Sequence, residues 1–115
     1  MLSCLVLDHV VELIAFFSEL RRVCRKTGFV VASVMHPAME LKGVQARFRD
    51  AVSGVEIRPA SASHQISEYV MRARDAGLRV GDMSEYRVDA ALESRSERAR
   101  KYLGWPLLLL MKLLP

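Results

Sequence analysis

The chain opens on an uncharged, mostly apolar run from Met1 to Leu7. Such a run suits a strand covered on both faces, as in a parallel sheet. Polarity returns at Asp8, whose carboxylate can cap a helix by accepting from the free amides of its first turn. Val10, Leu13, Ile14, Phe17 and Leu20 then recur at helical spacing and form one apolar stripe. Arg21, Arg22, Arg25 and Lys26 fall at the end of that helix, where they complement the negative end of its dipole, and Gly28 offers a left-handed exit. A second apolar run, Phe29 to Met35, predicts a second buried strand. Strand, helix and strand in this order form a βαβ unit, whose two strands are parallel and joined by a right-handed crossover.

The pattern changes between His36 and Ser63. Pro37, Gly43, Gly54 and Pro59 interrupt it, and Val44–Phe48 with Val55–Arg58 predicts a hairpin around Ser53 and Gly54. This segment reads as an irregular insertion over one end of the sheet, and a long loop in a small domain is often functional. Helical spacing resumes with Ile66, Tyr69, Val70 and Ala73, with Ser63 as the cap and Gly77 with Leu78 as the stop. Leu78 to Val88 predicts a strand, Asp89 to Tyr102 a charged helix ended by Gly104, and Trp105 to Leu113 a last strand. Pro106 sits near the start of that strand, where a missing amide matters least.

Composition narrows the picture. With 115 residues, 51% hydrophobic and 26% charged, the chain forms one α/β domain with a real core, and disorder, collagen and coiled coil are poor fits. Cys4 and Cys24 form no CxxC pair or disulfide framework and read as small buried hydrophobes, which favours a reducing, cytoplasmic setting. A net charge of +4 is mild and predicts no nucleic-acid partner. The basic runs at 21–26 and 95–101 lack interleaved aromatics and read as solvated helix faces. The run Leu103–Leu114 falls short of the roughly 20 apolar residues a membrane-spanning helix needs. Met1–Leu7 lacks the basic flank of a signal peptide.

His9, His36 and His64 each fall at an element boundary. The ends of two parallel strands point to one edge of the sheet, so His9 and His36 should face one crevice, where open α/β sheets bind ligands. Imidazole titrates near neutral pH, so either can act as a general base or substrate contact. The bland alternative is that His9 occupies a helical first turn and His36 simply precedes a proline. The histidines and cysteines lack zinc-ligand spacing, so no metal site is expected. No Gly-x-Ser-x-Gly elbow is present, and no two of the six glycines are separated by a single residue, so the chain has no Gly-x-Gly phosphate loop.

In order, these residues resemble the second half of a class I S-adenosylmethionine-dependent methyltransferase, in a small-molecule branch. Ser3 to Val10 is similar to the fourth strand and its "leucine, histidine, hydrophobic" turn. Phe17, then Leu20 to Val23 and Gly28 to Ser33, match the helix, the glycine turn and the fifth strand. Cys24, Thr27 and Phe29 stand where the family has leucine, proline and the second glycine. His36–Met39, His64–Gly77 and Lys101–Pro106 continue the likeness, and Leu78–Val88 with Trp105–Leu113 would be its terminal antiparallel strand pair.

The resemblance implies a partial Rossmann-like methyltransferase sheet with S-adenosylmethionine as cofactor and a small-molecule acceptor. Ser3, Cys4 and Leu5 match the place where the fourth strand touches the cofactor, and His9 and His36 match the acceptor side. The family's glycine-rich loop and ribose-binding acid belong to an amino-terminal half that this chain does not contain. The expectation is therefore an acceptor-side part, inactive alone, with a first strand free on one side and prone to self-association. The alternative is a non-catalytic remnant or interaction module that pairs through the same edge.

Overall fold

A computed structural model describes every residue from Met1 to Pro115. Six strands, β1 (Leu2–Cys4), β2 (Val30–Met35), β3 (Phe48–Arg49), β4 (Glu56–Ile57), β5 (Arg79–Arg87) and β6 (Pro106–Leu114), make two sheets. The helices are α1 (Leu13–Val23), α2 (Ala38–Leu41), α3 (Ile66–Asp75), α4 (Ala90–Arg95) and α5 (Glu97–Arg100). The main sheet has the order β1-β2-β6-β5. β1 and β2 are parallel, with Ser3 opposite Ala32, while β6 runs antiparallel to both β2 and β5. The βαβ unit and the antiparallel terminal pair are both present, and β6 inserts between β2 and β5.

Period-two alternation explains where the core lies. Val30, Ala32 and Val34 of β2 and Leu109, Met111 and Leu113 of β6 are fully buried on one face. Helices α1 and α3 pack against each other over that face and insert Phe17 and Tyr69 into the core. Burying a side chain such as Phe17 contributes about 1.5–3 kcal/mol. The other face is only half covered. Val31, Met35, Leu108 and Leu110 are partly buried there, and the Lys112 ammonium lies 4.7 Å from the Phe29 ring centroid. The apolar runs that predicted strands covered on both faces thus belong to a two-layer fold.

Five local expectations are corrected. β1 stops at Cys4 because Leu5 adopts φ +52, a left-handed conformation that turns the chain out of the sheet. Asp8 caps no helix; it lies in one turn of 3₁₀ helix, Leu7–His9, and α1 begins only after Glu12. Gly28 has no positive φ; α1 ends where Cys24 turns extended, and a side chain at position 28 would crowd the Arg25 carbonyl at 3.1 Å and the Cys24 sulfur at 3.3 Å. The charged helix is two short ones, broken where Ser96 becomes extended. Gln65 rather than Ser63 flanks α3, and its amide donates to the Glu68 carboxylate at 2.9 Å. Asp89 does cap α4, accepting from the Leu92 amide at 2.8 Å, and Gly77 leaves α3 at φ +81.

Candidate functional site

The insertion closes over the carboxyl end of β1. Its small hairpin pairs Phe48 with Ile57 and Arg49 with Glu56, and turns through Gly54 at φ +69. The Asp50 side chain braces this turn, accepting from the Val52 and Ser53 amides and the Ser53 hydroxyl, which holds its carboxyl below the usual range. The return limb then crosses the Asp8–Val10 turn. The Ala62 amide donates to the Asp8 carbonyl at 2.8 Å, the His9 Nδ1 lies 3.3 Å from the Ala60 carbonyl, and the His64 Nε2 donates to the Val10 carbonyl at 2.7 Å. An irregular segment is therefore tied at three points to the edge where parallel strands end.

Each histidine is held differently. The His9 ring is partly open to solvent. A proton on Nδ1 satisfies the Ala60 carbonyl and leaves Nε2 with a free lone pair, 3.8 Å from the nearer Asp8 oxygen. His36 is 7% exposed and both ring nitrogens are engaged. Its Nδ1 accepts from the Ala38 amide at 3.0 Å, so the proton sits on Nε2, which donates to Glu85 at 2.8 Å. His64 is nearly buried, packs edge-on against Tyr69 at 5.6 Å, and uses its Nε2 on backbone.

Sequence reasoning missed the acids of this region. Asp8, read as a cap, is 7% exposed, and its Oδ1 is buried without a hydrogen-bond partner. A buried carboxylate oxygen left unpaired is costly and points to a polar group that belongs beside it. Burial, and then the charges of Asp8, Glu40 and Glu68, pushes the Tyr69 phenol far above its ordinary range. The Ser63 hydroxyl donates to Glu40, joining the end of the insertion to α2 near its start. None of this shows in spacing, because Asp8, Glu40, Glu68 and Tyr69 meet only after the fold closes.

Two clefts open beside Glu40. One of about 230 Å³ is lined by Met35, Glu40, Gly43 to Gln45, and Ser63; the other, of about 380 Å³, lies between α2 and the start of α3. The largest cleft, about 590 Å³, is walled by the end of α1 and Pro115, at the opposite end of the parallel strands. Open α/β sheets bind ligands outside the carboxyl ends of their strands, so the two smaller clefts are the candidate site. Of the cofactor-side candidates, Ser3 is turned inward and buried, whereas Cys4 and Leu5 are exposed beside the free edge. No group of three or more histidines, cysteines or acids is close enough to hold a metal ion, and no helix is long and apolar enough to cross a membrane.

No protein-family model matches the chain. An uncharacterized methyltransferase of Emericella nidulans is 32% identical to it in an alignment 110 positions long that covers 90% of this chain and 38% of that relative. Among solved structures, an S-adenosylmethionine dependent methyltransferase from Mesorhizobium loti superimposes with a TM-score of 0.70 at 16% identity, covering 97% of this chain and 59% of its own. A second, from Listeria monocytogenes, gives 0.70 at 15% identity, covering 97% and 58%. The chain thus spans well under half of the curated relative it matches. In sequence the chain is similar to a methyltransferase over 90% of its length, and its fold is that of part of the Rossmann-like sheet of S-adenosylmethionine-dependent methyltransferases.

Proposed function

We propose that the chain is the acceptor-side part of an S-adenosylmethionine-dependent methyltransferase that acts on a small molecule, and that it does not turn over alone. The observation that carries this reading is the placement of His9. It follows the edge strand β1, is exposed, and keeps its Nε2 out of any hydrogen bond. S-adenosylmethionine, when bound, supplies a methyl group made electrophilic by its sulfonium. This chain fits one wall of a site for it. Cys4 and Leu5 border the exposed edge and the orphaned Asp8 oxygen lies just beyond, but no Gly-x-Gly loop is available to approach the cofactor closely.

Within the wall, His9 Nε2 takes the proton that an acceptor loses as it is methylated. The Ala60 carbonyl holds the ring in the tautomer that this needs. His36, the other histidine at this edge, has no free nitrogen; it is a positioning residue that ties the β2–α2 turn to β5. The non-catalytic alternative rests on the same free edge of β1, and experiment divides the two.

Calorimetry with S-adenosylmethionine and transfer of a labelled methyl group into a small-molecule extract provide the test. The chain alone is expected to show neither micromolar binding nor transfer. With the remaining part of the Emericella relative supplied, both should appear, and His9→Ala should lower the rate more than it lowers cofactor affinity. Micromolar binding by the chain alone, or no transfer after complementation, would overturn the reading.

A further inference from the structure

A third cleft at the same end of the sheet differs from its neighbours in charge. It encloses about 180 Å³ between the insertion and the turn before β6, and its wall carries four cations, Lys42, Arg47, Arg58 and Lys101, with no acid. The other lining residues are Gly43 to Gln45 and Tyr102. Only Arg58 is neutralised, by Glu56 at 2.8 Å; no carboxylate lies within 4.0 Å of Lys42, Arg47 or Lys101, although most of the chain's other close ion pairs are made by arginines.

Instead, the two lysines rest on aromatic rings. The Lys42 ammonium lies 4.3 Å from the Trp105 centroid and that of Lys101 lies 5.0 Å from the Tyr102 centroid. Trp105 is itself fixed, because its indole nitrogen donates to the Ala38 carbonyl at 3.0 Å. Like charges gathered around one concavity repel one another, and the fold brings them together from segments 42–58 and 101–102 without a compensating acid.

We propose that this cleft is an oxyanion subsite that seats a phosphate or carboxylate group of the acceptor. Its volume is below the roughly 300–1,000 Å³ of pockets that enclose a whole small molecule, so it holds a group rather than a complete ligand. Arginine matches phosphate and carboxylate oxygens with paired N–H donors, and lysine adds point charge. The wall Gly43–Gln45 is shared with the 230 Å³ cleft that also contacts Met35, Glu40 and Ser63. An anion held here therefore leaves the rest of its molecule beside the acceptor cleft. That the anion belongs to the acceptor rests on the methyltransferase reading; that the cleft binds an anion does not.

Trp105 is the chain's sole tryptophan, so its fluorescence reports on Lys42 and the cleft directly. The full chain is titrated at constant ionic strength with inorganic phosphate, with acetate, and with sodium chloride in place of either. A saturable change with phosphate or acetate, absent with chloride, is expected, and the tighter anion identifies which group the subsite prefers. The double variant Arg47→Met, Lys101→Met alters two exposed side chains and should weaken binding about tenfold or more. Lys26→Met, at the other end of the sheet, should leave it unchanged. No saturable response, a response equal to that of chloride, or equal affinity in the double variant would overturn the subsite. Its failure would leave cofactor binding in the complemented protein untouched, and a failure of methyl transfer would leave the titration unchanged.

Discussion

The hydrogen bond between His36 and Glu85 gives the sharpest test of how this site is framed. Glu85 is half exposed, so its carboxylate stays solvated and contributes less than the roughly 1.5–3 kcal/mol of a shielded bond to a charged group. Glu85→Ala leaves the His36 Nε2 proton, on a nearly buried ring, without an acceptor, and about 1 kcal/mol is the expected cost. Glu85→Gln keeps an oxygen in place and should recover most of it. His36→Ala removes the ring from the core edge and also strips the Ala38 amide of its acceptor, for about 2–3 kcal/mol. His36→Asn should cost about 1 kcal/mol, because an asparagine oxygen can accept from the amide two residues on. Urea unfolding followed by circular dichroism reads these as midpoint shifts of roughly 0.3–1 M per kcal/mol. In the His36→Asn background, Glu85→Ala should cost almost nothing, which gives a coupling of about 1 kcal/mol. If Glu85→Ala costs the same in both backgrounds, the two side chains do not act as a unit and the positioning role of His36 has to be abandoned.

Two further outcomes follow from the same structure. Leu2 is 69% exposed on the open side of β1, next to the exposed Leu5 and Val6, so the free chain should self-associate along this edge, and Leu2→Lys should restore a monomer by light scattering with an unchanged far-UV spectrum; a wild-type chain that is already monomeric, with slowly exchanging Leu2 and Cys4 amides, would refute this. The Tyr69 phenol, held protonated mainly by burial, keeps its proton in the fold at pH values where the unfolded chain, with a phenol pKa of about 10, loses it. Its raised value leaves stability intact below pH about 10 and erodes it as pH rises above that, so Tyr69→Phe should flatten the alkaline fall in melting temperature; an unchanged alkaline profile would count against a buried phenol.

What could be read in advance was whatever short-range chemistry decides. The parallel pairing of β1 with β2 follows from strand, helix and strand in sequence, and the hairpin turn at Ser53 and Gly54 from its own residues. Three errors have separate causes. Asp8 was expected at a helix start because aspartate caps helices well, but the return limb of the insertion takes the Asp8 carbonyl and buries the side chain. The Met1–Leu7 run gives no sign that Leu5 turns out of the sheet, since apolar residues carry no turn chemistry. Gly28 was given a conformational role, whereas the space beside Cys24 and the Arg25 carbonyl is what asks for a missing side chain. Likewise, periodicity could place His36 at the edge but not reveal that Glu85, 49 residues away, would occupy its Nε2.

The order of elements along the carboxyl edge links the site to the proposed subsite. His9 follows β1, His36 follows β2, and Lys101 with Trp105 precedes β6, so the three groups lie side by side in sheet order. Neighbouring strands are about 4.8 Å apart, which sets roughly 10 Å between the end of β1 and the start of β6. β1 is the open edge of the sheet, and the cations beside β6 lie on the far side of His36 from it. Under the proposed function, an acceptor anchored there by an oxyanion would reach back past His36 toward His9, and the separation of anchor from reacting atom would follow from strand spacing. Because β6 is inserted between β2 and β5, its starting turn is brought next to the end of β2. An antiparallel strand at this position thus supplies a binding wall that a parallel strand, starting at the opposite end, could not.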